Sequence, residues 1–362
     1  MAVRADAIVV GSGPAGSIAA RELSRLGRSV VVLEAKRHPR PKACAGGISP
    51  WARSLLDDMG LWDGIAAEAQ DVRGVRLVAP SGAETVWVGA ATASVLERSR
   101  LDHILARAAV ESGAELREGR RVAALVRQRG RAIGVRLADG EAIHAPWIVL
   151  ASGSNARPTT DAPPGRVLHT CMARWEGLEF QPQVVEMIFD PDLFHHYGWL
   201  FPESGTTANV GICLEPGRGP RRSVRRVFER FLDRWFAERL AGARLIGPVR
   251  GAPIAVSDRI RHRAAPGVLL AGDAGLLANP ATGEGISTAI LSGALAARVV
   301  DGALRRDLDP LTAAATYERW TRLRIGPSLL AGEHFMRRGM PLLELAARTG
   351  ESRWLRRACK QA

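Results

Sequence analysis

The stretch that most restricts the fold of this chain ends at residue 34. Ala7-Ile8-Val9-Val10 is a short apolar run suited to a strand buried in a parallel sheet, and Gly11-Ser12-Gly13-Pro14-Ala15-Gly16 follows at once. Ile18, Ala19, Ala20, Leu23 and Leu26 continue with helical spacing, Gly27 closes the helix, and Ser29-Val30-Val31-Val32-Leu33-Glu34 supplies a second strand. Strand, glycine turn, helix and strand in this order form a dinucleotide-binding unit. Gly11 permits the tight bend, Gly13 lets backbone approach a pyrophosphate, and Gly16 allows close helix-to-strand packing, while free N–H groups and the helix dipole hold the anion. Glu34 stands 23 residues after Gly11, where a carboxylate accepts bonds from ribose hydroxyls.

The rest of the chain is long enough for more than this unit. At 362 residues it holds roughly two to three units of about 150 residues each. With 46% hydrophobic and 24% charged residues it is neither disordered nor fibrous. Basic residues exceed acidic ones by 13, and only Lys36, Lys42 and Lys360 are lysines. That excess favours anionic partners: nucleic acid, an anionic membrane surface or a diphosphate-bearing substrate. Arg221, Arg222, Arg225 and Arg226 form the densest internal cluster, but Val224, Val227, Phe228 and Phe231 make it an amphipathic helix and no nucleic-acid module is present, so nucleic acid is not expected. Cys44, Cys171, Cys213 and Cys359 show no spacing for zinc, and no metal is expected. The cysteine usage, a start without a signal peptide and the lack of an apolar run near 18–20 residues point to a cytoplasmic protein, with peripheral membrane contact open.

A second cofactor contact lies far downstream. Pro266-Gly267-Val268-Leu269-Leu270-Ala271-Gly272-Asp273 reads as a buried strand ending in Gly-Asp, and Asn279-Pro280-Ala281-Thr282-Gly283-Glu284-Gly285-Ile286 leads into a helix of small residues. The positive end of that helix suits an isoalloxazine ring, whose reduced form is anionic. Together with the N-terminal motif, these segments resemble the FAD-dependent superfamily of p-hydroxybenzoate-hydroxylase-like monooxygenases, flavin halogenases and geranylgeranyl reductases. The resemblance implies that Gly11, Gly13, Ala15, Gly16, Glu34 and Ala35 hold the adenosine diphosphate half of FAD. It further implies Asp273, after Gly272, on the ribityl chain, Gly283, Gly285 and Ile286 along the flavin, and Arg98 as an FAD-contacting arginine. Ala151-Ser152-Gly153 has Ser152 where many relatives carry Asp, which leaves the electron donor open between NAD(P)H and a ferredoxin.

Two further motifs discriminate within the superfamily. Pro41-Lys42-Ala43-Cys44-Ala45-Gly46-Gly47 resembles the Pro-x-x-Cys-x-Gly-Gly segment of geranylgeranyl reductases, and Tyr197-Gly198-Trp199-Leu200-Phe201-Pro202 resembles their Tyr-x-Trp-x-Phe-Pro sequence. The halogenase pattern Trp-x-Trp-x-Ile-Pro is missing. By this resemblance Gly46 and Gly47 bring backbone against the flavin, Cys44 and Tyr197 are the candidate proton donors, and Trp199, Phe201 and Pro202 contact substrate. Strand alternation places Tyr197, Trp199 and Phe201 on one face, an apolar wall for a long hydrocarbon. The implied activity is hydride transfer from reduced flavin to a C=C bond of an isoprenoid chain on a lipid or other hydrophobic substrate, with an aromatic or polyketide monooxygenase as the alternative.

The expected architecture is α/β: a discontinuous Rossmann-like FAD-binding domain (1–75, 95–155 and 255–300), an inserted, mainly antiparallel substrate domain (76–94 and 160–254), and a C-terminal helical cap (301–362). Arg131 to Arg136 and Ile143 to Leu150 read as accessory strands of the first domain. In the cap, Tyr317, Trp320 and Leu323 and then Leu342, Leu343 and Leu345 have helical spacing. Its basic residues, among them Arg337, Arg338, Arg353, Arg356, Arg357 and Lys360, read first as solvated faces and secondly as an anionic membrane contact.

Overall fold

The computed structural model describes residues 5–154, 166–193, 195–215, 223–257 and 263–349. The loop expected at 155–165, most of that at 214–221, and the tail from 350 onward with Cys359 and its basic residues lie outside the described residues.

The N-terminal unit forms as its pattern demands. Strands Ala7–Val10 and Val30–Glu34 are parallel neighbours joined by helix Pro14–Arg25, and Pro14 opens the helix, where its missing N–H costs nothing. They belong to a six-stranded sheet in the order Ala264–Ala265, Val268–Leu270, Trp147–Leu150, Ala7–Val10, Val30–Glu34, Glu115–Glu118, antiparallel only at the first pair. Alternate residues bury on opposite faces. Ala7, Val9, Val30 and Val32 pack under helices Pro14–Arg25 and Ile286–Arg306, and Ile8, Val10, Val31 and Leu33 pack under a three-stranded sheet, Val122–Gln128, Arg131–Leu137 and Ala142–His144.

Two expectations need correction here. Trp147–Leu150 is not an accessory strand but a central one, paired to both Ala7–Val10 and Val268–Leu270. Its four residues are buried on both faces, and Pro146 separates them from the short Ala142–His144 strand. Helix Ile286–Arg306 is also long and apolar enough to cross a membrane, contrary to the sequence reading. Its apolar window is 89% buried inside the protein, however, which is the burial of a core helix.

The second sheet has eight strands in the order Arg244–Val256, Arg166–Glu176, Thr207–Leu214, Gly198–Pro202, Val184–Ile188, Gln70–Val78, Glu84–Val95, Gly47–Ile48. All pairs are antiparallel except Val184–Ile188 with Gln70–Val78. The second sheet therefore claims residues 47–48, 70–75, 95 and 255–256, which the expected boundaries assigned to the first unit. Helix Val224–Trp235 covers its outer face with Val227, Phe228 and Phe231, and Gly198 leaves room for the Phe231 ring, which a Cβ there would meet at 2.1 Å. The opposite face, carrying Met172, Trp199 and Phe201, turns toward the first sheet.

Helices Pro310–Arg324, Gly326–Arg338 and Met340–Thr349 complete the described chain. Of the spaced apolar residues noted in sequence, Tyr317 is fully buried and donates its hydroxyl to the Leu270 carbonyl at 2.8 Å, and Leu343 is buried. Trp320, Leu323, Leu342 and Leu345 reach the surface.

Helix Ile286–Arg306 supplies a paired test of packing against propensity. A Cβ on Gly293 would lie 2.3 Å from the Ala15 carbonyl oxygen, whereas one on Gly302 meets nothing within 4 Å. Gly293→Ala is expected to lose about 1–3 kcal/mol of stability by forcing the helices apart. Gly302→Ala is expected to gain about 0.5–1 kcal/mol from helix propensity. Thermal and urea unfolding of the two variants check both signs.

Candidate flavin and substrate site

The glycine turn builds an open cradle. A Cβ on Gly11 would strike the Ala151 carbonyl oxygen at 2.6 Å, and one on Gly16 would strike the Gly11 carbonyl oxygen at 1.9 Å, so both positions hold backbone against backbone. Gly11 also has φ +93°, which favours glycine. Gly13 differs: its Cβ direction opens into space whose nearest atoms are Arg40 Nη2 at 3.8 Å and Arg98 Nη2 at 3.9 Å. Backbone at a helix start facing two guanidinium groups is a fitting seat for a pyrophosphate.

Those cations are held by a buried carboxylate. Asp102, fully buried, accepts from Arg98 Nε at 2.8 Å and Nη2 at 3.1 Å and from Arg40 Nη1 at 2.9 Å. Burial alone would raise the Asp102 pKa, but Arg98, one turn before it on helix Arg98–Glu111, reverses this and the carboxyl stays below its ordinary range. Burial likewise opposes the charge on Arg98, and Asp102 with the neighbouring Cys44 thiol overcomes it and raises the pKa. Asp102 was not singled out in sequence, although its spacing of four from Arg98 at a helix start is a readable signal.

Glu34 ends its strand inside the same cavity, nearly buried. Its Oε2 accepts from Ser12 N at 3.0 Å and Ser12 Oγ at 2.9 Å and lies 3.3 Å from Arg40, while Oε1 accepts from Lys36 N at 3.0 Å. Burial would raise its pKa, and Arg40 together with these donors turns the net shift downward. Oε1 keeps a lone pair for a ribose hydroxyl. Asp273, after Gly272, pairs with Lys42 at 3.4 Å and faces the cavity beside Gly285. In the following loop Asn279 accepts from Ala281 N at 2.9 Å and donates to the Ser328 carbonyl at 3.0 Å, fixing Gly283 to Ile286 against the C-terminal helices.

One cavity of about 1130 Å³ joins these elements to the inner face of the eight-stranded sheet. Gly11, Gly13, Ala15, Glu34, Ala35, Gly47, Arg98, Gly272, Asp273, Gly283, Gly285 and Ile286 all line it, as do Cys44, Tyr197, Trp199 and Phe201. Three sequence-chosen positions do not. Gly16 packs under the cradle. Gly46, at φ +78°, sits against the Leu96 carbonyl, which a Cβ would meet at 2.5 Å, so its role is backbone packing and not flavin contact. Pro202 pairs with Ala208, whose side chain lies in the outer core, and by strand parity it points away from the face of Trp199 and Phe201. The Phe201 ring covers Gly47 instead, 2.7 Å from where a Cβ would stand.

Cys44 lies where the two halves meet. Its Sγ accepts from the Gly46 N–H at 3.4 Å. Its carbonyl accepts from Asn209 Nδ2 at 3.1 Å, and Asn209 Oδ1 accepts from Trp199 Nε1 at 3.0 Å, so one buried amide ties the cysteine loop to the aromatic strand. Tyr197 donates its hydroxyl to the Thr282 carbonyl, and burial pushes its pKa above the ordinary tyrosine value. Burial also pushes the neighbouring Cys213 thiol up to about 12.

A family profile described as FAD binding domain matches residues 4–305. Over 330 residues the chain is 32% identical to digeranylgeranylglycerophospholipid reductase 1 of Methanopyrus kandleri, covering 87% of this chain and 85% of that protein. The chain belongs to the geranylgeranyl reductase family of FAD-dependent oxidoreductases. It is also 30% identical over 325 residues to a menaquinone reductase of Mycolicibacterium smegmatis, covering 83% of this chain and 77% of that one. A geranylgeranyl bacteriochlorophyll reductase-like structure from Thermoplasma acidophilum shares the fold, with TM-score 0.84, 22% identity and coverage of 96% and 92%. The flavin-dependent brominase Bmp2 shares it too, with TM-score 0.80, 20% identity and coverage of 96% and 91%. Membership makes FAD the cofactor of this oxidoreductase, and the open cradle above Gly13 between Arg40 and Arg98 fits its pyrophosphate.

The Arg98–Asp102–Arg40 cluster sets a pH limit. Asp102 and Glu34 both have lowered folded-state pKa values, so their stabilisation is fully present at neutral pH. It is lost as pH falls below about 4 toward the folded values. Asp102→Asn is expected to cost about 3–5 kcal/mol at pH 7 by leaving Arg98 buried beside a neutral amide, and to flatten the loss as pH falls from neutral to below about 4. Unfolding curves across that range, with FAD retention measured by absorbance, check it.

Proposed function

We propose that this flavoenzyme saturates C=C bonds of an isoprenoid chain, which lies along the inner face of the eight-stranded sheet with one double bond brought to the flavin end of the cavity. The observation that carries this reading is the continuity of the cavity. Its dinucleotide end is charged and its sheet end is lined by Met172, Val185, Met187, Trp199, Phe201 and Ile254, with Cys44 at the junction. An apolar slot of this kind takes a hydrocarbon and excludes water. The relatives named as reductases of a digeranylgeranyl phospholipid and of menaquinone support a long isoprenoid substrate.

Reduced FAD, when bound, supplies the hydride for one carbon of the alkene. The adjacent carbon needs a proton, and we assign it to Cys44. The thiol stands at the junction, and the Gly46 N–H and the Arg98 guanidinium beside it hold the negative charge left when the proton departs. Tyr197 keeps its proton on the Thr282 carbonyl and serves as a fixed wall that also steadies the loop containing Gly283. Trp199 and Phe201 align the chain, which matters because an unactivated alkene accepts hydride poorly and depends on orientation. Glu34, Ala35, Gly11, Gly13, Ala15, Arg98 and Asp273 hold the cofactor. The electrons return from a nicotinamide or a ferredoxin-type donor. Because such substrates reside in membranes, we further propose that the exposed Leu323, Leu330, Leu342 and Leu345, close in sequence to Arg322, Arg324, Arg337 and Arg338, rest on an anionic bilayer.

Steady-state reduction of a geranylgeranyl lipid, followed by the two-hydrogen mass gain per bond, tests the assignment. Cys44→Ser is expected to keep FAD and lose about 10²–10⁴-fold in kcat. Tyr197→Phe is expected to keep FAD and lose less than about tenfold, since no transferred proton is removed. Full activity in Cys44→Ser removes the thiol from the mechanism, and full loss in Tyr197→Phe transfers the proton to the phenol.

A further inference from the structure

We infer that Arg250 is the binding site for an anionic head group, a phosphate or diphosphate, on the substrate of this cavity; the inference rests on the isoprenoid reading above and adds what the chain is attached to. Arg250 lies on the edge strand Arg244–Val256, directly opposite Met172. Two neighbours fix the direction of its side chain. Met172 belongs to the inner core with Trp199 and Tyr197, and Val249, the residue before Arg250, packs in the outer core with Phe228. Arg250 therefore faces inward, and it lines the cavity while remaining exposed. It sits at the mouth.

Its electrostatic surroundings differ from those of Arg174, Arg40 and Arg98. Arg174, two residues after Met172, is matched by Glu97 at 3.2 Å and Glu203 at 2.6 Å, and at the cofactor end Arg40 and Arg98 share Asp102. Among the described residues Arg250 has no carboxylate within ion-pair distance, so its five donors are free for a ligand. The strand is irregular next to it: pairing with Arg166–Glu176 shifts register between Met172 and Arg174, and Gly247 has φ +69°. Bulges of this kind re-aim side chains beside active sites.

The same strand measures the distance to the flavin. Ile254 and Ala252 share the inward face with Arg250, and Ile254 Cδ1 would touch a Cβ on Gly283 at 3.3 Å, so it abuts the flavin loop. Ile254 stands four residue steps along the strand from Arg250, about 13 Å. A head group on Arg250 thus leaves a hydrocarbon spanning Ala252 and Met172 before its reacting bond reaches the flavin end, and bonds close to the head group cannot be presented first. A cation at the mouth of an apolar slot selects charged-headed chains over neutral ones of equal length.

Equilibrium binding to the oxidised holoenzyme, read by tryptophan fluorescence, tests this without turnover. Geranylgeranyl diphosphate and uncharged geranylgeraniol are titrated into the wild type and into Arg250→Glu, Arg250→Lys and Arg73→Glu. Arg73 also lines the cavity, but from the strand Gln70–Val78 on the opposite flank of the sheet. The expected result is a Kd for the diphosphate raised at least tenfold in Arg250→Glu. The Kd for geranylgeraniol should stay within twofold, with near wild-type binding of both ligands in Arg250→Lys and Arg73→Glu. Inorganic diphosphate should compete weakly with the prenyl diphosphate in the wild type and not in Arg250→Glu, which separates head-group recognition from capture of free diphosphate. Equal affinities for alcohol and diphosphate in the wild type, parallel weakening of both ligands in Arg250→Glu, or selective loss in Arg73→Glu alone would each overturn the assignment. Binding as expected with no saturation of either chain on reduction would instead overturn the reductase reading and leave the head-group site standing.

Discussion

The structure depends on how closely three backbone segments approach one another around the first glycine turn. Gly16 stands where a Cβ would overlap the Gly11 carbonyl, Gly11 lies against the Ala151 carbonyl, and Gly293 of the long core helix lies against Ala15. Strand Trp147–Leu150, helix Pro14–Arg25 and helix Ile286–Arg306 can meet only because these positions lack side chains. Their meeting aims the N-terminus of one helix at the open space above Gly13 and brings the start of the other beside Gly285 and Asp273. Both helix starts open on one cavity, so the packing constraint and the cofactor site are one feature.

On this frame a single buried carboxylate organises the charge. Asp102 neutralises Arg98 and Arg40 far enough to keep both inside the protein while leaving guanidinium N–H groups toward the cradle, and Arg98 reaches onward to Cys44. The cysteine loop is held from the other side by Asn209, which also orients Trp199. Pyrophosphate seat, thiol and aromatic wall are thereby placed relative to one another by a few hydrogen bonds of defined direction, and the inner face of the eight-stranded sheet continues the same cavity with apolar side chains.

Much of this was legible in sequence wherever the signal is local. The strand, glycine turn and helix of residues 7–34, the Gly-Asp strand end at 272–273 and the alternation of Trp199 with Phe201 each depend on neighbours in the chain, and the structure places them in one cavity. What escaped depends on distant partners. Gly46 looks like a flavin-facing glycine until the Leu96 carbonyl is seen beneath it, and Pro202 shares a motif with Phe201 but the opposite face of the strand. Ile143 to Leu150 reads as one apolar accessory segment, because periodicity cannot show that its second half is buried on both sides of a parallel sheet. Asn209 stood in plain view beside the aromatic motif, yet nothing nearby in sequence says that its amide reaches Cys44, 165 residues earlier.

On the proposed reading, electrons stored on the flavin of this protein leave through an isoprenoid double bond and not through oxygen. The direct measurement is anaerobic: reduce the holoprotein with dithionite, mix it with a geranylgeranyl lipid or diphosphate, and follow flavin absorbance while the lipid is weighed by mass spectrometry. The expected result is reoxidation of the flavin matched by a two-hydrogen mass gain in the lipid. A flavin that stays reduced until oxygen is admitted, with the lipid unchanged or gaining an oxygen atom, would contradict it.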